Sequence, residues 1–182
     1  MKRARQGRGR SAAFALVLAL ALGGCATPAD RKAMTVDKTA TVARQHPASV
    51  AVTVRGGAET SATTGSNVSD ADLKAALEAS ITETRAFREV VQGRSGDYEL
   101  TVSVTQLSKP MFGFSFTVEM EAGWTLTRVS DGRQLWRKAI TSTHTVSANA
   151  AFAGATRLRM AVEGAAKANI SQGLAEIGGL AL

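Results

Sequence analysis

From Phe114 to Leu126 every second residue is apolar: Phe114, Phe116, Val118, Met120, Ala122, Trp124 and Leu126. Between them stand Ser115, Thr117, Glu119, Glu121, Gly123 and Thr125. Period two over so long a run predicts a long antiparallel strand with one face in a core and one in water. Tyr98, Leu100, Val102 and Val104 show the same period just upstream, and Lys109-Pro110 separates the two runs. Asp131-Gly132 marks a hairpin turn, after which Gln134 to His144 returns as another strand. Near the start of the domain Val50, Val52 and Val54 alternate with Ala51, Thr53 and Arg55, and Phe87 to Val91 reads as a short strand.

Two segments change to a helical period. Ser69-Asp70-Ala71-Asp72 has a side-chain acceptor at a cap and acids near the positive end of a helix dipole. Leu73, Ala76, Leu77, Ile81 and Thr84 then share one face, which predicts a helix to about Arg85. Leu158, Val162, Ala165, Ala166, Ile170, Leu174 and Ile177 do the same over 155–177, where Ala161 and Gly173 add room for close packing. The expected fold is two-layer α+β: a mostly antiparallel sheet of four to five strands with two amphipathic helices on one face.

The N-terminus follows another logic. Lys2, Arg3, Arg5, Arg8 and Arg10 precede an apolar run of 11 residues from Ala12 to Leu22, and Gly23-Gly24-Cys25 follows. A membrane-spanning helix needs about 20 apolar residues, so this run has the shape of a cleaved export signal. The order basic, apolar, small residues, cysteine resembles a bacterial lipoprotein signal peptide with its lipobox. The resemblance implies export, acylation of the Cys25 sulfur with palmitate-like chains, cleavage before Cys25 and a second acylation at the new amino terminus. Ala26, in place of an Asp, implies the outer membrane and its periplasmic face. Residues 1–24 are then the signal peptide, 25–46 an acylated N-terminus and tether closed by His46-Pro47, and 47–182 a single periplasmic domain.

This signal also carries most of the charge. The chain has 22 Lys and Arg against 15 Asp and Glu, but five of the basic residues and none of the acidic ones precede Cys25. The rest holds 17 against 15, so the basic balance is no nucleic-acid footprint, which needs a patch on the folded domain. A single cysteine excludes an intramolecular disulfide and leaves too little sulfur for a structural zinc site.

No catalytic motif stands out. His46 and His144 have no acid at triad or ligand spacing, and no nucleophile elbow, phosphate loop or zinc-protease helix occurs. Glu119 and Glu121 share a strand face, with carboxylates roughly 7 Å apart, a spacing that suits either acid-base work or a solvated face. Three features point to binding. Met111, Phe112 and Phe114 interrupt the alternation at a hinge between strands, and either meet a partner or lipid or fold back on the core. Arg128, Arg133 and Arg137 around the Asp131 turn, with Arg157 and Arg159 on the last helix, are candidates for anion contact. The Ser/Thr/Gly-rich stretch between Gly56 and Ser69, expected to be a mobile loop, is a third and unspecific candidate for contact.

In its lipobox, its middle strands and the stretch from Phe152-Ala153-Gly154 to Asn169-Ile170, the chain is similar to small periplasmic auxiliary lipoproteins of envelope and ABC-type transport systems. That resemblance implies a non-catalytic, lipid-anchored adaptor of an envelope complex, with no cofactor and no nucleic acid. Its partners would be the membrane, through the anchor, an envelope protein complex, and lipid. The adaptor reading predicts a filled core and an exposed apolar patch near Phe112. A lipid- or ligand-binding module instead predicts a cavity lined by Trp124, Trp136 or Phe116. An acyltransferase acting on envelope sugars or lipids would need hexapeptide repeats and a base histidine. No such repeat occurs.

Overall fold

The structure, a computed structural model, describes residues 26–38, 42–93 and 95–182. Cys25 and the signal before it lie outside the described residues. Along the chain come α1 (Arg31–Met34), β1 (His46–Arg55), α2 (Asp70–Thr84), β2 (Phe87–Val91), β3 (Tyr98–Ser108), β4 (Phe116–Arg128), β5 (Gln134–Val146) and α3 (Gly154–Gly178). The strands form one sheet in the order β2-β1-β3-β4-β5. The two long pairings, β3 with β4 and β4 with β5, are antiparallel, while β1 runs parallel to both β2 and β3. The fold is thus α+β, as the alternating periods predict.

Local chemistry sets the element ends. The Ser69 hydroxyl accepts the Asp72 N–H at 3.1 Å and donates to the Asp72 carboxylate at 2.7 Å, which fixes the first turn of α2. Arg85 closes that helix in the left-handed region at φ 55° and turns the chain into β2. Between β2 and β3 the chain crosses from one edge of β1 to the other. The crossing is clamped where the backbone N–H and hydroxyl of Ser49 both donate to Asp97 Oδ2 at 2.8 Å.

The core lies between the sheet and α2 with α3. Leu73, Leu77 and Ile81 from one helix and Ile170, Leu174 and Ile177 from the other are fully buried against it. Trp124 is 0 % exposed and sits at the centre of the β4 face. A Cβ on Gly173 would stand 2.5 Å from its ring, so the small residue there lets α3 close on the indole.

Two expectations are corrected. The segment 25–46 is no free tether over its described part. Ala29, Met34 and Val36 are buried, the Val36 N–H donates to Ser80 Oγ at 2.9 Å, and the Asp30 N–H donates to Glu163 Oε1 at 2.9 Å. Met34 and Val36 complete the core beside the two long helices, which leave that apolar gap uncovered. The first strand likewise begins at His46 rather than near Val50. His46 is buried against the Phe87 ring, with its Nε2 3.0 Å from the Ile177 carbonyl oxygen.

Candidate functional site: the apolar end of the domain

The connection from β3 to β4 projects from the end of the sheet where β1 and β3 finish and β4 begins. Its first residue, the half-buried Lys109, turns its side chain back onto the stretch from Thr64 to Asn67. Its ammonium donates to the carbonyl oxygens of Thr64 and Ser66, each at 2.8 Å, and to Asn67 Oδ1. Burial of this ammonium lowers its pKa from the usual lysine value. The polar stretch that receives it is itself laced: Asn67 Nδ2 donates to the Glu59 carbonyl at 3.1 Å and to Thr64 Oγ1 at 3.0 Å. Lys109 therefore fixes the base of the tip, and Met111, Phe112 and Phe114 beyond it are 85 %, 86 % and 85 % exposed. They do not fold back on the core.

A fourth apolar side chain joins them. The β5–α3 connection runs beside the tip, because Phe116 at the start of β4 pairs with Val146 at the end of β5. Arg157 shapes that connection. Its Nη1 donates to the carbonyl oxygens of Ala151 at 2.6 Å and Phe152 at 2.9 Å, and its guanidinium lies 5.7 Å from the Phe116 ring centroid. Phe152 is left wholly in water. Sequence reasoning missed it as a site residue, since it stands among Ala and Gly outside any period; an unsupported aromatic between two elements was its only signal.

The described chain also starts at this end. Ser66 Oγ donates to the Thr27 carbonyl at 2.8 Å, and the Ala29 N–H donates to the Asn67 carbonyl at 3.4 Å. Ser66 therefore holds both Thr27, two residues after Cys25, and Lys109, two residues before Met111.

The five arginines do not meet. Arg128 and Arg133 lie at the opposite end of β4, a strand of 13 residues, which separates them from Phe116 by about 40 Å. There Asp131 accepts the Arg133 N–H at 3.0 Å and Arg128 Nη1 at 3.2 Å, and these bonds, the backbone one first, hold its carboxyl below the usual range. Arg137 stands exposed on β5. Arg159 lies 3.8 Å from Glu163, and Arg157 is engaged by the loop carbonyls. They form no single anion site.

The acid-base candidates are scattered too. Glu119 and Glu121 stand on the outer sheet face, and Glu121 Oε1 accepts the Thr105 hydroxyl at 3.0 Å. His144 lies against α3 over Gly164. Among the described residues no group of three or more His, Cys, Asp or Glu could hold a metal ion. Trp124 donates its indole N–H to Asn169 Oδ1 at 2.9 Å and is fully buried in the core. At the far end an open groove of about 710 Å³ runs past His46, Arg85, Phe87 and Arg88.

No family model matches the chain, and no curated protein matches it. Solved structures do. Protein XCC0632 from Xanthomonas campestris, of the DUF330 family, superposes with a TM-score of 0.53 at 14 % identity, over 85 % of this chain and 93 % of that one. The hypothetical protein CT253 from Chlamydia trachomatis gives a TM-score of 0.56 at 6 % identity, over 73 % and 96 %. Uncharacterized lipoprotein B from Nitrosomonas europaea is more distant, with a TM-score of 0.46 at 16 % identity, over 76 % and 86 %. At these identities the likeness to the first two is one of fold: the chain shares its sheet-and-two-helix architecture with these bacterial proteins.

Proposed function

We propose that the protein is a non-catalytic lipoprotein, anchored through Cys25 at the periplasmic face of the outer membrane, that serves as an adaptor in an envelope transport or assembly complex. One observation carries this reading over that of a lipid or ligand carrier. Trp124, the residue a carrier would turn toward its cargo, fills the core with its indole N–H already bonded to Asn169. The space between sheet and helices at that point is occupied by side chains, so recognition falls to the outer surface. The export signal, the lipobox and the exposed apolar tip belong to the same reading.

Affinity purification of the full protein from detergent-solubilised envelope, with protein and lipid analysis of one eluate, tests it. A stoichiometric membrane-protein partner is the expected result. A tightly bound lipid with no protein partner would replace the adaptor by a carrier.

A further inference from the structure

We propose that the end of the domain bearing Met111, Phe112, Phe114 and Phe152 is a membrane-contact surface that inserts into the interface of an anionic bilayer beside the acylated Cys25. The inference rests on acylation of Cys25 as read above and goes beyond it, because an anchor alone says nothing of how the domain stands on the lipid.

Geometry comes first. Ser66 is bonded to Thr27 on one side and Lys109 on the other. Thr27 stands two positions after Cys25, a reach of at most about 7 Å, and Phe112 three positions after Lys109, at most about 11 Å. The anchor and the tip thus leave the fold from one residue. With Ala29, Met34 and Val36 packed into the core, no slack remains between the anchor and the domain to lift this end away from the bilayer.

Chemistry points the same way. Four large apolar side chains project from two adjoining connections, and the bonds of Lys109 and Arg157 to loop carbonyls set the paths of both. The two connections that bear the tips, within 106–118 and 145–162, contain no Asp or Glu, while Lys109, Arg157 and Arg159 lie among them. The acids of this end, Glu59, Asp70 and Asp72, stand on the connection from β1 and the start of α2, where Asp70 Oδ1 accepts the Gly57 N–H at 2.7 Å. Acid-free connections with apolar tips and basic shoulders complement a negatively charged lipid surface, with aromatics placed at headgroup depth. The opposite end, with Asp97, Asp131, Arg88 and Arg128 interspersed, has no such character.

The test uses the full protein in vesicles of phosphatidylethanolamine and phosphatidylglycerol with brominated acyl chains. Phe112→Trp and Ser130→Trp, at opposite ends, are compared with the parent, whose Trp124 is buried and Trp136 half-buried. Mass spectrometry reads the state of Cys25 in each sample. Strong bromine quenching of the Phe112→Trp protein, with the Ser130→Trp protein at the parent level, is expected. Acylated Cys25 with no extra quenching at position 112 overturns the insertion and leaves the anchor standing. Quenching at 112 with unmodified Cys25 overturns the anchor and leaves the surface. Loss of a protein partner from the detergent eluate when Met111 and Phe112 become Ser would assign the tip to that protein instead.

Discussion

The Trp124 indole N–H donates to Asn169 Oδ1 at 2.9 Å, and the Asn169 amide donates in turn to the Ile140 carbonyl at 2.9 Å. One helix side chain thereby satisfies the indole on β4 and a backbone group on β5 across the buried sheet face. Ser142 extends the set by donating to the Ala165 carbonyl at 2.8 Å. Every polar group of this network is buried, so losing a member leaves another unpaired. Asn169→Ala is expected to cost about 3 kcal/mol in urea denaturation. Trp124→Phe combined with it should cost less than the sum of the two single changes, because the first removes the donor that the second strands.

Gly173 and Gly164 both lie on α3 under a ring, yet alanine is expected to have opposite effects at the two. At Gly173 the new Cβ would sit 2.5 Å from the ring of a fully buried Trp124, which has nowhere to move. Overpacking of this kind costs about 1–3 kcal/mol, more than the helix propensity gained. At Gly164 the neighbour is His144, whose side chain is exposed and can swing into water. Gly164→Ala should therefore be neutral or raise stability by up to about 1 kcal/mol. A thermal-unfolding comparison of the two variants reads the difference directly.

Much of this fold is legible in the sequence. β3, β4 and β5 each have one dry and one wet face, so period two marks them, and α2 and α3 carry stripes long enough to show their turns. The place of β1 between β2 and β3 is not legible, since strand order depends on a crossing fixed by Ser49 and Asp97, 48 residues apart. Nor is the role of residues 29–36. A four-residue helix and three buried side chains make no period. At the apolar end, Met111, Phe112 and Phe114 announce themselves by breaking an alternation. The link from Thr27 through Ser66 to Lys109 joins distant parts of the chain and leaves no local mark.

The crossing at Ser49 has an acid-pH signature. Bonds from the Ser49 backbone N–H and hydroxyl, with the Arg88 charge adding to them, hold the Asp97 carboxyl below its ordinary value of 3.8. A carboxyl depressed in the folded state contributes stability that is present above its unfolded pKa and is lost as pH falls through the folded one. Asp97→Asn should accordingly be less stable than the parent at neutral pH, and the gap should narrow as pH drops below about 4. Urea midpoints measured across that range test the sign. A gap that stays constant would mean that the carboxylate charge plays no part in the clamp.

Met34 separates a packed N-terminal segment from a tether. Its side chain is 0 % exposed beside α2 and α3, and the short helix that carries it is capped by Asp30, whose carboxylate accepts the Lys32 N–H at 2.8 Å. Truncating a buried methionine removes its transfer free energy and leaves a cavity, together about 2–5 kcal/mol. Met34→Ala should lower the urea midpoint by a corresponding amount, whereas the same change in a tether would leave it unmoved. Phe112→Ala, with its side chain in water, should leave the midpoint unchanged in detergent-free solution. If Met34→Ala were as silent as Phe112→Ala, the segment would be free to pay out from the anchor. The close standing of the domain on the bilayer would then lose its mechanical basis.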